Sequence, residues 1–372
     1  MNETASTRSN ASPLPAGARI GIIGGGQLGR MLAMAAARHG FHAVILDPEE
    51  NCPAADVAGR LIVAAYDDQA AISELAQLCA VITYEFENVP VASARTADAL
   101  KPVFPPPAAL EIAQDRLVEK ASLNAIGIAT ARYLSVESAR QLHEGLKAFG
   151  GEGVLKTRRL GYDGKGQIVF RNAGDDLLPQ QAIERLGAVP LILEERLDFA
   201  REVSIIAVRA QDGAIVHYDP AENTHDHGIL RRSRVPALLA VDQSRACARA
   251  ARDVLKALDY VGVIGIEFFV MDDGRLIANE FAPRVHNSGH WTEAACAVSQ
   301  FDQHIRAIAG LPLGDPARHS DGVMVNLIGD EIDALGELCR QPATVIHVYG
   351  KSEIRKDRKM GHYTTLTPRS CG

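Results

Sequence analysis

Short apolar runs punctuated by glycine, proline or an acid set the pattern of the chain. Ala18–Gly24 reads as a first strand. A helix rich in Ala, Leu and Met follows over Arg30–His39 and ends at Gly40, where a left-handed cap is cheapest for glycine. Ala43–Leu46 is a second strand stopped by Asp47, then Leu61–Ala64 a strand, Gln69–Leu78 a helix and Ala80–Tyr84 a strand. Strand and helix in alternation predict an α/β fold with an open parallel sheet. Pro102, Pro105, Pro106 and Pro107 interrupt the alternation, and a domain boundary is expected there.

Beyond that break the spacing predicts a helix over Gln114–Asn124, with Arg116 and Lys120 on one face, ordinarily a solvated one. Strands follow at Gly153–Lys156, Ile168–Phe170, Val189–Leu197, Glu202–Arg209 and Ala214–Tyr218. His225–Gly228 reads as a loop, and Ser244–Leu258 as an amphipathic helix. Trp291–Val298 and Gln300–Ala309 read as helices, and Gly322–Leu327 and Thr344–Tyr349 as strands.

The stretch Val263–His290 has the most chemistry in it. Two apolar runs, Ile264–Val270 and Leu276–Phe281, flank Asp273-Gly274, a strong signal for a two-residue hairpin turn. Counting outward from that turn sets Glu267 opposite Glu280. Directly opposed like charges repel, and carboxylates among Ile, Phe and Leu need a counter-charge. A divalent cation would supply one, since magnesium takes one or two carboxylates plus substrate phosphates. The alternative is an exposed hairpin whose glutamates face water. Arg284, His286, Asn287 and His290 follow at once, and acids followed by cations and amides suit a metal–phosphate–anion site.

Two glycine-rich turns are candidates for phosphate. Gly24–Gly29 satisfies G-x-G-x-x-G between a strand and a helix, with an acid at the end of the next strand. That pattern fits an NAD-dependent oxidoreductase, a mononucleotide phosphate site, or no ligand at all. The second turn lies between strands at Thr157–Gln167, with glycines among basic residues; it reads as a mobile lid over phosphates, the alternative being an ordinary mobile hairpin. It is not a Walker A loop. Glu85 and Glu87 stand at a strand end, where ligands bind in open sheets; Glu87 also reads as a solvated loop acid.

Composition narrows the classes. The net charge of −7 over 372 residues argues against general nucleic-acid or membrane-surface binding. No apolar run reaches the roughly 18 residues of a membrane span. Six scattered cysteines without a CxxC pair read as reduced thiols. Residues 1–17 read as a disordered leader. Five of the nine residues from Lys351 to Lys359 are basic. Lys356 and Lys359 read as solvated, whereas Lys351 and Arg358 lie across a turn-back that directs both toward a cleft.

GGGQLGRM (Gly24–Met31), YEFENV (Tyr84–Val89), GYDGKGQ (Gly161–Gln167), GILR (Gly228–Arg231), YVGVIGIEFFV (Tyr260–Val270), NEFAPRVHNSGHWT (Asn279–Thr292) and RKMGH (Arg358–His362) together carry a family resemblance. The chain resembles the ATP-grasp superfamily and is most similar within it to the 5-(carboxyamino)imidazole ribonucleotide synthase family, ATP-dependent carboxylases of aminoimidazole ribonucleotide. The resemblance implies an ATP-grasp fold. It would have a Rossmann-like pre-ATP-grasp domain at 18–110, an ATP-grasp domain at 111–312 with a lid near 127–200, and a small C-terminal domain at 313–372 that closes the substrate cleft.

The resemblance also implies roles. For ATP these are Arg116, Lys156, the lid residues Gly161, Tyr162, Asp163, Gly164, Lys165, Gly166 and Gln167, then Glu194, Glu195, Arg196 and Leu197 at the adenine edge, Glu202 on the ribose, His225, Asn279 and Glu280. Glu267 and Glu280 would hold magnesium, as two ions. Asp163, Lys165, Arg284, His286, Asn287, Lys351 and Arg358 would serve bicarbonate and the imidazole nucleotide. Gly26, Gln27 and Leu28 would take the nucleotide 5′-phosphate in place of NAD. Lys165 stands where the family often has Arg, keeping the charge without the bidentate fork. The implied partners are small molecules only, and a cytoplasmic homodimer is expected.

Overall fold

The computed structural model describes residues 12–161, 166–171, 178–187 and 189–370. The opening alternation folds as expected into a four-stranded parallel sheet, in the order Arg60–Val63, His42–Asp47, Arg19–Ile23, Val81–Tyr84. Its central strands bury Ile20, Ile22, Ile23, Val44, Ile45 and Leu46, as strands covered on both faces must. The first helix spans Gln27–Arg38, so it begins inside the glycine turn. Asp68 caps the second helix by accepting from the Ala70 and Ala71 amides.

A second, antiparallel sheet of four strands runs Tyr133–Val136, Leu191–Glu194, Gly153–Thr157, Gln167–Phe170. It has its own small core around Leu142, Leu155, Phe170 and Leu193. Its strand at Leu191–Glu194 is shorter than expected, because residues 195–199 leave the sheet and run back toward the main body.

The third sheet has nine strands. From one edge it runs Leu276–Ala282, Gly262–Val270, Arg201–Arg209, Ala221–Asp226, Ile229–Val235, Ser320–Ile328, Lys359–Pro368, Thr344–Val348, with Ile215–His217 on Arg201–Arg209. The pairing of Ile229–Val235 with Ser320–Ile328 makes the ladder continuous from the hairpin of paired acids to the C-terminal strands. Helix Val241–Ala257 covers one face with Cys247, Ala251, Val254 and Leu255. On the other face helix Gln300–Ile308 shares a core with the first parallel sheet. His304 pegs the two bodies together. Its Nδ1 accepts from the Val263 amide at 3.1 Å, so Nε2–H donates to Thr83 Oγ1 at 2.8 Å.

Three expectations are corrected. His225 lies on a strand, not a loop, in a hairpin that turns at His227 and Gly228, both at positive φ. Its inner residues are polar and satisfy one another: Ser233 Oγ donates to Asn223 Oδ1 at 2.8 Å, and Asn223 Nδ2 to Ser204 Oγ at 2.9 Å. The helix expected over 291–298 is a single turn, Thr292–Ala295, because Cys296 extends to bridge Arg318 and Ser299 caps the next helix. The acid hairpin turns through three residues, not two. Met271 N–H donates to Arg275 O at 2.9 Å, and Gly274 sits at φ +87°, the geometry of a three-residue loop closed by a left-handed glycine.

Candidate active site

That longer turn slips the hairpin register to Val270↔Leu276 and Phe268↔Ala278. A bulge then restores it at Ile266↔Phe281, so the single residue Glu267 faces both Asn279 and Glu280. The acids therefore meet through an irregularity that the sequence count did not contain. Burial pushes the Glu267 carboxyl up to about 7, and the neighbouring Glu280 charge adds to it. Glu280 is also 3.9 Å from Arg116 Nη2.

These groups line a cleft of about 600 Å³ where the three sheets meet. Of the ATP candidates, Arg116, Lys156, Gly161, Gly166, Gln167, Glu202, His225, Asn279 and Glu280 are on its wall. Tyr162, Asp163, Gly164 and Lys165 lie outside the described residues. Glu194, Glu195, Arg196 and Leu197 are not on the wall. Glu194 is buried in ion pairs with Lys156 at 2.9 Å and Lys120 at 3.4 Å, Glu195 pairs with Arg132 at 2.6 Å, and Arg196 with Glu152 at 2.7 Å. Glu202 is ion-paired to His225 Nδ1. Burial alone would lower the His225 pKa; the Glu202 hydrogen bond and the Glu267 charge outweigh it and raise it.

Arg284, His286 and Asn287 sit on the same wall. Arg284 Nε is ion-paired to Glu87, and Nη1 donates to Val285 O at 3.0 Å, which leaves Nη2 for an anion. Burial would raise Glu87, but Arg284 brings it down to about 2. The loop-acid reading of Glu87 is thus overturned: it fixes the guanidinium. Burial and then the Arg284 charge lower His286 to about 3, so it is a neutral hydrogen-bonding group. Gln300 grips the His286 backbone from both sides, accepting from N–H at 2.9 Å and donating to C=O at 2.7 Å. Both amide atoms of Asn287 are buried without a hydrogen-bond partner, an arrangement that favours a ligand.

The glycine turn behaves differently from its motif. The Gly26 and Gly29 amides donate to Glu85 at 2.6 and 2.5 Å, and the Gly25 amide to Asp47 at 2.7 Å. A Cβ on Gly26 would stand 2.5 Å from Glu85 Oε1. Gly26 is needed for the protein's own acid, and only Gln27 and Leu28 of that expected trio reach the cleft. In the C-terminal basic run the cleft is lined by Lys359, which read as solvated. Lys351 lies over the Tyr349 ring at 5.6 Å, and Arg358 donates to Glu353 O at 3.1 Å. Tyr349 and the buried His290 also line the cleft, the latter stacked on His362 at 4.6 Å. The APRVHNSGH and RKMGH motifs held both histidines, but only the fold brings them face to face.

Nucleotide-sized space, a lid sheet over it and paired acids on an antiparallel hairpin define an ATP-grasp enzyme. Residues 121–301 match the ATP-grasp domain, residues 18–114 the ribonucleotide synthetase preATP-grasp domain, and residues 322–370 the phosphoribosylaminoimidazole carboxylase C-terminal domain. The N5-carboxyaminoimidazole ribonucleotide synthase of Brucella melitensis biotype 1 is 56% identical over 357 residues, 96% of this chain and 98% of the relative. A solved N5-carboxyaminoimidazole ribonucleotide synthetase in complex with ADP is similar with TM-score 0.92 at 40% identity, over 96% of this chain and 94% of that one. The Aspergillus clavatus N5-carboxyaminoimidazole synthase in complex with ADP and 5-aminoimidazole ribonucleotide is similar with TM-score 0.89 at 29% identity, over 95% of this chain and 94% of that one. The chain belongs to the N5-carboxyaminoimidazole ribonucleotide synthase family.

Proposed function

We propose that the cleft activates bicarbonate with ATP and carboxylates the amine of 5-aminoimidazole ribonucleotide, giving N5-carboxyaminoimidazole ribonucleotide, ADP and phosphate in purine biosynthesis. The chain is an ATP-dependent carbon–nitrogen ligase. The observation that carries this reading is the closely set pair Glu267–Glu280, whose burial raises Glu267, beside Arg284 and the unpartnered amide of Asn287. A bicarbonate oxygen attacks the γ-phosphorus, and ADP leaves to give carboxyphosphate. The carboxyl group passes to the exocyclic amine, by direct attack on the carboxyl carbon or through carbon dioxide released in the closed site; the bond to phosphate breaks, and the departing phosphate takes the amine proton.

The protein positions and balances charge. Lys156, held by Glu194, faces the transferring phosphate from the lid sheet. Arg284 Nη2 and neutral His286 hold the bicarbonate, and Asn287 donates and accepts beside them. Lys351, Arg358, Asp163 and Lys165 address the ribonucleotide, with its phosphate at the free amides of Gln27 and Leu28. Two carboxylates with no third protein ligand suit magnesium, whose remaining ligands would be nucleotide phosphates and water; among the described residues no larger metal-ligating cluster exists. Magnesium bound there would neutralise phosphate charge.

The division at 18–110, 111–312 and 313–372, a homodimer and a cytosolic site of action go with this reading through the family resemblance. Among the described residues no helix is long and apolar enough to cross a membrane. The test is ADP release with bicarbonate, with and without aminoimidazole ribonucleotide, and NADH oxidation as control. Release that requires both substrates is expected. NADH oxidation, or ADP release indifferent to the ribonucleotide, overturns the assignment.

A further inference from the structure

The bulge that brings Glu280 to Glu267 interrupts the backbone ladder, and backbone groups beside it need other partners. They find them on one helix, Arg116–Ala125. The Phe281 amide donates to Glu119 Oε1 at 2.7 Å, and Lys120 Nζ donates to Asn279 O at 3.1 Å. Glu280 is held by its chain neighbours on both sides. Glu119 and Lys120 are 2% and 1% exposed, so the wet face expected of this helix is instead a buried one.

The same helix reaches the lid sheet. Lys120 is 3.4 Å from Glu194, which in turn holds Lys156 at 2.9 Å, and Arg116 donates to Gly161 O at 2.9 Å. We infer that Glu119 and Lys120 are positioning residues that fix the metal-facing bulge and tie it to the lid's phosphate-facing lysine. The inference rests on the reading of Glu267 and Glu280 as the magnesium carboxylates. Neither side chain is among the carboxylates that would hold the metal; each bonds the backbone beside Glu280 and so keeps its carboxylate set before nucleotide arrives. Such prior placement spares the ordering that a relaxed strand would need on binding.

The probe is Mn²⁺ in place of Mg²⁺, titrated on the full-length protein with saturating ADP and followed by the electron paramagnetic resonance of free Mn²⁺, so that no turnover is needed. Glu119→Leu removes the acceptor at nearly constant volume, and Mn²⁺ affinity should fall about 10-fold, the scale of one buried hydrogen bond. Glu119→Gln keeps a carbonyl acceptor and should stay within about twofold of wild type. Lys120→Met should weaken Mn²⁺ in the same direction as Glu119→Leu. If Glu119→Leu does not fold, Glu119→Asp, with its shortened reach, must show the same direction of change. Unchanged Mn²⁺ affinity in Glu119→Leu or Glu119→Asp, with affinity lost in Glu280→Gln, overturns the inference and leaves the metal reading standing. Unchanged affinity in Glu280→Gln itself overturns the metal reading.

Discussion

Two pairs of glutamates face the same cleft and are met differently. At the end of a parallel strand Glu85 takes the Gly26 and Gly29 amides, although burial still raises its pKa, and Glu87 takes Arg284. Glu267 and Glu280, across an antiparallel bulge, are pressed together, and burial with the mutual charge raises Glu267 to about 7. Glu87 by contrast is held near 2. Glu87 has its charge balanced by Arg284 and orients that guanidinium; Glu280 has Arg116 at 3.9 Å and Glu267 has His286 at 3.7 Å, and under the proposed function a cation would complete their charge balance.

The sharpest way to break this comparison is to neutralise one member of each pair. Glu280→Gln should lower kcat by roughly 10²–10³-fold, the scale of a lost metal contribution, while the melting temperature rises or holds. Activity near wild type at limiting magnesium would remove the Glu267–Glu280 pair from the mechanism. Glu87→Gln should do the reverse. It strands a buried guanidinium, costs about 1–3 kcal/mol of stability, and raises the KM for bicarbonate with little change in that for ATP. A fall in ATP affinity instead would move Arg284 to the nucleotide.

A smaller effect is expected from the C-terminal cations. Arg358→Ala should reduce kcat/KM for the ribonucleotide roughly 10- to 100-fold, the cost of one charge-assisted contact. Because Lys359 lines the cleft, the exposed Lys356 is the proper surface control. Equal losses in Arg358→Ala and Lys356→Ala would make the run a surface feature.

The last expectation concerns pH dependence. Burial lowers His304 to about 3, so between pH 6.5 and 3 the unfolded chain binds a proton that the folded chain refuses. Stability from this group is complete above pH 6.5 and falls with acid by up to about 1.4 kcal/mol per pH unit. His304→Asn should flatten that slope in chemical denaturation. An unchanged slope would show that the peg does not titrate in this range.

What the sequence disclosed divides along the same physical line. Periodicity found the parallel sheet, since buried strands advertise themselves by apolar runs. It missed Ala221–Asp226 and Ile229–Val235, whose inner positions use Asn223 and Ser233 in a hydrogen-bonded network in place of apolar packing. The adjacency of Glu267 and Glu280 was foreseen from a turn that is one residue too short, and the bulge cancelled the difference. The glycine fingerprint promised free amides, but Glu85 and Asp47, distant in sequence, occupy three of them. Lys120 read as solvated because its partners, Glu194 and the Asn279 carbonyl, come from other sheets. Local pattern records what a residue is; only tertiary closure records what it is paired with.

An unbroken ladder runs from Leu276–Ala282 to Thr344–Val348, and the small sheet at 133–194 stands outside it. The hairpin that carries Lys351 and Arg358 pairs with Ser320–Ile328, at the opposite end of the same sheet from the strands bearing the acids. The small sheet at 133–194 has its own core and, among the described residues, its strands pair with neither of the other two sheets, although the Arg116 amide donates to Arg158 O at 3.0 Å. The acids and the C-terminal strands thus share one hydrogen-bonded frame, and Lys156 of the small sheet lines the same cleft.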